Sequence, residues 1–260
     1  MGTVGREGHG GHDGHDGHGG EGDAKDEKNA RIEAERRASW RRAEEAAAEV
    51  ATWPWWKKGD RAPSSSGMPR PTAHERIIAL LRERSYEKKR VTLASGRESD
   101  FFIDCKQTVL TAEGHRLVGV LMLDAIDSLL DGLPPCEAVA GVELGGCPLA
   151  SAVALMSTMR TSAVRERPLD ALYVRKEVKD HGSKRLVEGD KSLVPGTRVV
   201  LLEDVITTGA STLKAAEKLR GAGAAVVGVV ALVDRQEGGA EAIRAAGFPL
   251  VSICTRSDFP

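Results

Sequence analysis

Residues 198–211 have the sequence Arg198-Val-Val-Leu-Leu-Glu-Asp-Val-Ile-Thr-Thr-Gly-Ala-Ser211, in which an apolar run, a pair of acids and a small-residue loop follow one another. The apolar run from Val199 to Leu202 follows a Pro-Gly turn signal and is typical of a central strand in a parallel sheet covered on both faces. Glu203 and Asp204 come at its carboxyl end, where open α/β sheets bind ligands. This segment therefore predicts both the class of fold and the place of its site.

The loop after the acids has the composition of a phosphate-binding site. Thr207-Thr-Gly-Ala-Ser211 supplies hydroxyls and closely spaced backbone N–H groups, with a glycine that permits close approach. Thr212 to Arg220 predicts a helix, with Ser211 as its N-cap and Gly221 as its stop. Because the loop opens this helix, the helix dipole favours an anion there. A Walker-type loop is excluded, since no Gly-Lys-Ser/Thr sequence occurs in the segment.

The acid pair and the loop together fit a ribose 5-phosphate, with the phosphate in the loop and the ribose hydroxyls donating to Glu203 and Asp204. The segment resembles the phosphoribosyl pyrophosphate (PRPP) signature of the type I phosphoribosyltransferases, in which an apolar run, two acids and two apolar residues precede Thr-x-Gly-x-Ser/Thr. The alternative is an ordinary nucleotide-fold strand and turn with two solvated acids.

The composition of the chain limits its partners and its compartment. The 260 residues include 37 Lys and Arg against 38 Asp and Glu, so no global basic field predicts a nucleic-acid partner. The sequence has no apolar run of about 18 residues and no signal-peptide core, so we expect no membrane partner. The cysteines form no CxxC pair, which favours reduced thiols and a cytoplasmic location; they are Cys105, Cys136, Cys147 and Cys254.

The composition changes sharply along the chain and predicts an N-terminal extension over residues 1–71, followed by a phosphoribosyltransferase domain over residues 72–260. Residues 1–23 are rich in Gly, His, Asp and Glu and are expected to be disordered, because they cannot bury a core. Histidines at every third position would suit loose binding of Ni²⁺ or Zn²⁺, or simply belong to a solvated spacer; they are His9, His12, His15 and His18.

The rest of the extension carries a charged helix and an aromatic cluster. Residues 26–50 are rich in Ala, Glu and Arg and predict an exposed helix held by charge pairs. Trp53-Pro-Trp-Trp56 and Trp40 contain every tryptophan of the chain. This cluster fits either a docking surface or packing onto the domain. Residues 57–71, with their Pro-Ser-Ser-Ser-Gly segment, predict a flexible linker.

The pattern from residue 72 onward predicts an α/β fold. Thr72 to Arg84 predicts an amphipathic helix that opens with a capping-box sequence. Arg90 to Ala94 and Asp100 to Cys105 predict a hairpin, which would form a small hood outside a parallel core. Strands and helices then alternate, which predicts a doubly wound parallel sheet. The strands are expected at residues 138–141, 171–175, 199–202, 226–233 and 250–254, and the helices at 113–130, 148–160, 212–220 and 240–246.

A cationic segment follows the second of these strands. Arg175-Lys-Glu-Val-Lys-Asp-His-Gly182 continues to Lys184 and Arg185, and residues 177–190 have no clear period, which predicts a mobile loop. A departing pyrophosphate is a polyanion, so cations that close over it would stabilise the charge that develops on its oxygens. The alternative is a solvated run of charges.

Four ordered motifs narrow the resemblance to one family. Arg-Lys-Glu-x-Lys-x-His-Gly resembles the catalytic loop of the orotate phosphoribosyltransferases, and Asp-Val-Ile-Thr-Thr-Gly resembles their form of the PRPP motif. Leu232-Val-Asp-Arg-Gln-Glu237 is similar to a third family segment. Thr92-Leu-Ala-Ser-Gly-Arg97 with Ser99-Asp-Phe-Phe-Ile-Asp104 is similar to a fourth. The resemblance covers about residues 73 to 256.

The resemblance implies roles for individual residues. It implies orotate contacts for Phe102, Thr207 and Arg235, and an arginine suits a carboxylate because it can bind it through two parallel hydrogen bonds. It implies catalytic roles for Lys179, His181 and Asp204. The PRPP-binding residues that it implies are Arg175, Lys176, Lys179, His181, Glu203, Asp204, Val205, Ile206, Thr207, Thr208, Gly209, Ala210 and Ser211.

Two positions depart from the family pattern, and both lose a cation. The turn Val139-Ala-Gly-Val-Glu-Leu-Gly-Gly146 contacts pyrophosphate in the family, often through a lysine where this chain has Gly145. Ala94 likewise stands where some members carry a lysine. Backbone N–H groups of the turn can still bind an anion. The departures therefore place more weight on the mobile loop.

The resemblance implies conversion of orotate and PRPP to orotidine 5-phosphate and pyrophosphate, a step of pyrimidine biosynthesis. Mg²⁺ is expected to be held by PRPP itself and not by protein side chains. A homodimer is implied, in which the cationic loop reaches into the partner's site. Two alternatives remain: a phosphoribosyltransferase for another base, and a non-catalytic PRPP-sensing regulator.

Overall fold

The structure, a computed structural model, describes Arg31 and residues 71–92, 98–160, 167–177 and 185–260. The predictions for the histidine-rich segment, the tryptophan cluster and most of the linker lie outside these residues. The boundary between residues 71 and 72 stays a prediction. Ala94, Lys179 and His181 also lie outside the described residues.

The first described helix, α1 (Ala73–Arg84), begins where its capping sequence predicts. The Glu75 N–H donates to the Thr72 hydroxyl at 3.1 Å, and the Thr72 N–H donates to the Glu75 carboxylate at 2.7 Å. These two bonds satisfy backbone donors that a helix start leaves without intrahelical partners. The apolar face of α1 is buried through Ile77, Leu80 and Leu81.

The predicted hood is confirmed as an antiparallel hairpin of β1 (Tyr86–Thr92) and β2 (Glu98–Ile103). Its first strand begins at Tyr86 and not at Arg90, so the predicted bounds were wrong. The cause is an aromatic cluster, since the ring of Tyr86 lies 5.2 Å from that of Phe101 and 5.5 Å from that of Phe259. A contact with residues so distant in sequence leaves no local pattern.

The central sheet has the strand order β5-β4-β3-β6-β7-β8. Parallel pairing joins five strands, as predicted, and these are β4, β3, β6, β7 and β8 in their order across the sheet. The remaining strand, β5, pairs antiparallel with β4. The short β5 lies inside the segment predicted to be a loop, and two residues are too few to show a period. The strands are β3 (Ala138–Val142), β4 (Asp170–Val174), β5 (Val187–Glu188), β6 (Arg198–Ile206), β7 (Ala225–Asp234) and β8 (Leu250–Thr255).

Helices cover both faces of the sheet, which confirms the doubly wound fold. Val200 and Leu202 of β6 belong to the core that contains α3 and α4, whereas Val199 and Leu201 face the core that contains α5 and α6. Among the described helices, none is long and apolar enough to cross a membrane. The helices after α1 are α2 (Lys106–Val109), α3 (Ala112–Leu129), α4 (Gly146–Met159), α5 (Ala210–Gly221) and α6 (Gly239–Ala245).

The fold places one crevice at the carboxyl ends of β3 and β6. These strands are neighbours, but the chain leaves β3 through α4 towards β4 and leaves β6 through α5 towards β7. The connections therefore run in opposite directions and on opposite faces. Open α/β sheets bind ligands at such a switch point.

Candidate active site

The two acids of β6 meet different neighbours, although their carboxyl groups lie close enough to interact. Glu203 is only 5% exposed and accepts hydrogen bonds from Thr212 Oγ1 at 2.9 Å and Ser211 Oγ at 3.2 Å. Asp204 is partly exposed and lies against the turn at Gly145. Of the two predicted ribose ligands, Asp204 is therefore the more accessible, while Glu203 ties the strand to the start of α5.

The environment of Glu203 favours its neutral form. Burial raises the pKa of Glu203 to about 8, and the charge of Asp204 adds to this effect, whereas the hydroxyls of Thr212 and Ser211 lower it. A carboxyl that is neutral at physiological pH can donate a hydrogen bond as well as accept one. Near pH 7 the Glu203 carboxyl can therefore serve as a hydrogen-bond donor as well as an acceptor.

The predicted phosphate-binding loop directly precedes helix α5, but the cap of this helix differs from the prediction. Helix α5 begins at Ala210 with Gly209 as its N-cap at φ +76°, so the prediction of Ser211 as the cap was wrong. Ser211 lies within the first turn, where its hydroxyl donates to Glu203 instead of capping the helix. A Cβ on Gly209 would lie 2.9 Å from the carbonyl oxygen of Gly239, so both the space and the φ angle require glycine.

The remaining predicted PRPP residues of this segment differ in exposure. Val205 and Ile206 still belong to β6, and the side chain of Ile206 is buried in the core. Thr207 is partly exposed, and Thr208 is exposed at the mouth of the loop. The hydroxyl of Thr208 and the backbone N–H groups at the start of α5 are thus the groups that an anion can reach.

Two of the four predicted pyrophosphate cations lie at the end of β4. The Arg175 guanidinium donates to the Glu188 carboxylate at 3.2 Å, and the backbone N–H of Lys176 donates to the carboxylate of Glu143. Glu143 belongs to the turn after β3, whose Glu143–Leu144 peptide bond is cis. The turn and the base of the cationic segment are therefore joined directly. The predicted sites Lys179 and His181 lie outside the described residues.

A cavity of about 340 Å³ connects the end of β4 with the phosphate-binding helix start. Arg175 and Lys176 line one side, and Ala210 and Ser211 of α5 line the other. Cations and a helix N-terminus thus share one space. This arrangement fits a ligand with more than one phosphate group.

The predicted orotate residue Arg235 lies on the β7 side of β6, away from β3. The backbone N–H of Arg235 donates to the Ile206 carbonyl at 3.0 Å, which holds Arg235 beside Thr207. The Arg235 guanidinium, in a residue only 7% exposed, donates to the Phe101 carbonyl at 3.0 Å and forms an ion pair with Glu237 at 2.9 Å. The hairpin residue Phe101 therefore lies close to the predicted base site.

The hairpin turns its two phenylalanines to different surroundings. Phe101 is buried against Tyr86 and Phe259, whereas Phe102 is partly exposed with Lys89 Nζ 3.9 Å from its ring centre. The structure thus leaves Phe102 available to a ligand, as its predicted role requires. Alternation along a strand explains the difference.

The predicted site list omitted several side chains. Glu237 pairs with Arg235, and Glu143 binds the backbone of Lys176. Lys106 lies 2.6 Å from Asp104, and this carboxylate, with a further contribution from Asp204, raises the pKa of Lys106. Glu237 belongs to the segment from Leu232 to Glu237 that resembles a family motif, so the sequence did contain a signal for it. The contacts of Glu143 and Lys106 depend on the tertiary fold.

Comparison with known proteins identifies the family of this chain. The model of the phosphoribosyl transferase domain matches residues 113–245. A Sorangium cellulosum (strain So ce56) protein named orotate phosphoribosyltransferase is 76% identical over 185 residues, which cover 71% of this chain and 92% of the relative. A Rhodopseudomonas palustris (strain BisB18) protein of the same name is 40% identical over 194 residues, which cover 74% and 98%.

A solved structure supports the same assignment at the level of the fold. The Mycobacterium tuberculosis H37Rv orotate phosphoribosyltransferase in complex with PRPP matches with a TM-score of 0.55 and 34% identity, over 72% of this chain and 98% of that one. The likeness covers most of the described α/β domain and nearly all of that solved chain. This chain belongs to the orotate phosphoribosyltransferase family of the type I phosphoribosyltransferases.

Proposed function

We propose that this chain transfers the phosphoribosyl group of PRPP to orotate, which yields orotidine 5-phosphate and pyrophosphate in de novo pyrimidine (UMP) biosynthesis. One observation supports the proposal: the start of helix α5, the partly exposed carboxylate of Asp204 and the buried guanidinium of Arg235 follow the carboxyl ends of the neighbouring strands β6 and β7. A sugar phosphate and an acidic base would each find a complementary group there.

The 5-phosphate of PRPP would lie at the start of α5. Thr208 and the backbone N–H groups around Gly209 would donate to its oxygens, and the helix dipole favours its charge. Asp204 would accept from a ribose hydroxyl. Because Glu203 bonds to Ser211 and Thr212, it would hold the loop in shape.

In the reaction, a nitrogen of orotate that has lost its proton to solvent would form a bond to the anomeric carbon. The bond from that carbon to pyrophosphate would break, and its electron pair would leave on the pyrophosphate oxygen. Positive charge would grow on the ribose in this step, and the carboxylate of Asp204 would lie on that side. Arg175 and Lys176, together with Lys179 and His181, would face the leaving group. Positioning and electrostatic stabilisation would supply most of the rate enhancement.

Mg²⁺ would enter the site on the oxygens of PRPP. Mg²⁺ is usually bound through one or two carboxylates and substrate phosphates, and it keeps several waters. Asp204 is partly exposed beside the predicted phosphate loop and offers one carboxylate. One carboxylate beside substrate phosphates suits an ion carried by the substrate, which would neutralise charge on the departing pyrophosphate.

Arg235 would bind the carboxylate of orotate. Its guanidinium is buried and already holds one carboxylate, that of Glu237, at 2.9 Å. An arginine can bind a carboxylate through two parallel hydrogen bonds, and uracil, adenine and hypoxanthine have no carboxylate to bind in this way. This residue therefore supports orotate over another base.

A homodimer would cover the outer face of α4. Leu155 and Met159, one turn apart on α4, are exposed there, and exposed apolar side chains that lie together mark an interaction site. In such a dimer the cationic segment would reach the partner's crevice. Light scattering of the wild type and of Leu155→Glu tests this, with a dimer expected for the first and a monomer for the second.

Orotate consumption, followed by ultraviolet absorbance, tests the reaction itself. Purified protein is mixed with PRPP, Mg²⁺ and orotate, beside parallel mixtures that contain uracil, adenine or hypoxanthine. We expect loss of orotate that requires both PRPP and Mg²⁺. Consumption of another base would indicate a different phosphoribosyltransferase. PRPP binding without turnover of any base would replace the enzyme with a PRPP-sensing regulator.

A further inference from the structure

One lysine of helix α5 binds the backbone at the base of the cationic segment. Lys218 Nζ donates to the carbonyl oxygen of Arg175 at 2.8 Å and to that of Lys176 at 2.7 Å. Lys218 is partly buried and lines the same cavity as these two residues. Hydrogen bonds from an ammonium group are charge-assisted and stronger than those between neutral groups.

The two carbonyls lie beyond the end of the strand ladder. The pairing of β4 with β3 stops at Val174 opposite Val142. A backbone that leaves a sheet must find other partners for its polar groups. Lys218 supplies that partner for the carbonyls of both residues that follow the strand.

The peptide group between Arg175 and Lys176 is held at both of its ends. Its carbonyl accepts from Lys218, and its N–H donates to the carboxylate of Glu143. A cation from α5 and an anion from the turn after β3 thus fix one peptide plane. Because this plane sets the backbone direction at both residues, it also sets where their side chains point.

We propose that Lys218 is a positioning residue for the pyrophosphate-binding cations. It orients Arg175 and Lys176 by holding the peptide group between them, and it acts together with Glu143. The inference rests on the proposed function, in which these two residues face the leaving group. Small misplacements of such groups cost turnover even when the residues themselves are intact.

The test compares three variants with the wild type. Lys218→Met removes the ammonium but keeps a side chain of similar length, and Lys218→Arg restores a cation that can donate to two carbonyls. Arg220→Met removes one positive charge from an exposed position of the same helix and serves as the control. Thermal unfolding of each protein confirms that it is folded. If Lys218→Met does not fold, Lys218→Gln replaces it.

Two measurements decide the outcome. Hydrogen exchange at the Lys176 amide is expected to be at least tenfold faster in Lys218→Met than in the wild type or Arg220→Met, because the peptide group is released. Turnover is expected to fall about tenfold and KM for PRPP to rise, while KM for orotate stays within about twofold. A general loss of structure would change KM for PRPP and KM for orotate alike, whereas a positioning role changes KM for PRPP. Lys218→Arg is expected to recover most of the turnover.

Unchanged exchange at Lys176, or kinetics of Lys218→Met equal to those of Arg220→Met, would overturn the inference. Hydrogen exchange does not depend on which base the enzyme uses. If the wild type does not consume orotate, the proposed function fails by itself. The dissociation constant for pyrophosphate then takes the place of turnover. We expect weaker binding for Lys218→Met than for the wild type or Arg220→Met. Equal binding by all three proteins would overturn the inference.

Discussion

A Cβ atom on Gly145 would lie 1.9 Å from Oδ2 of Asp204, because the turn after β3 packs its backbone directly against that carboxylate. Gly145 belongs to the turn after β3, and Asp204 belongs to β6. The resemblance implies that family members often carry a lysine at the position of Gly145, whereas glycine here permits close approach of the backbone to Asp204. The position of the Asp204 carboxylate depends on that glycine.

Gly145→Ala is therefore expected to displace the carboxylate of Asp204. No L side chain fits at this position while Asp204 stays where it is, since real Cβ atoms do not approach within 3.0 Å. We expect turnover to fall by roughly 10–100-fold, the range for a misplaced catalytic group. Steady-state kinetics beside Gly221→Ala, whose added Cβ meets nothing within 4 Å, provides the measurement and its control. Equal rates for the two variants would contradict the packing argument.

Glu203→Gln should change how stability depends on pH. Burial and the charge of Asp204 raise the pKa of Glu203 from the ordinary value of 4.5 to about 8. The stabilisation that results is complete below pH 4.5, and it is lost as pH rises through about 8. Between these values the folded state holds one proton more, so the unfolding free energy of the wild type falls by about 1.4 kcal/mol per pH unit relative to Glu203→Gln. Urea unfolding of both proteins from pH 5 to 9 measures this, and parallel curves would refute it.

The elements predicted correctly are those whose signals are local. Helix α1 was located by its capping sequence, and β6 by an apolar run that needs helices on both faces. The place of Glu203 and Asp204 followed from their position after that run. Periodicity and turn chemistry act over a few residues, so one sequence suffices to read them.

The features that were missed depend on residues brought together by the fold. The bounds of β1 were wrong because Tyr86 is held by Phe259, and β5 was missed because it has only two residues. The two acids are adjacent in sequence, but the neighbours that each acid meets are set by the tertiary fold. Gly145 looked like the loss of a lysine, and only the structure shows that Asp204 fills its space.

Arg235→Lys is expected to weaken orotate binding selectively. The lysine keeps the charge but loses the bidentate geometry that suits a carboxylate, at a cost of about 1.5–3 kcal/mol, or roughly 10–100-fold in affinity. KM for orotate should rise accordingly while KM for PRPP stays near its wild-type value. Arg220→Lys, at an exposed position of α5, is the matched control. A rise in KM for PRPP but not for orotate would show that Arg235 does not bind orotate.

Lys179→Ala tests the cationic segment, whose residues 178–184 lie outside the described part of the chain. Arg175 and Lys176 at its base are held beside the phosphate-binding start of α5 by Glu143 and Lys218, so the segment begins where a leaving pyrophosphate would lie. Loss of one stabilising cation there is expected to lower kcat by about 10²-fold or more. Lys191→Ala removes an exposed lysine just beyond β5 and should leave kcat unchanged. Near-normal turnover of Lys179→Ala would remove this lysine from the mechanism and leave the leaving group to Arg175, Lys176 and His181.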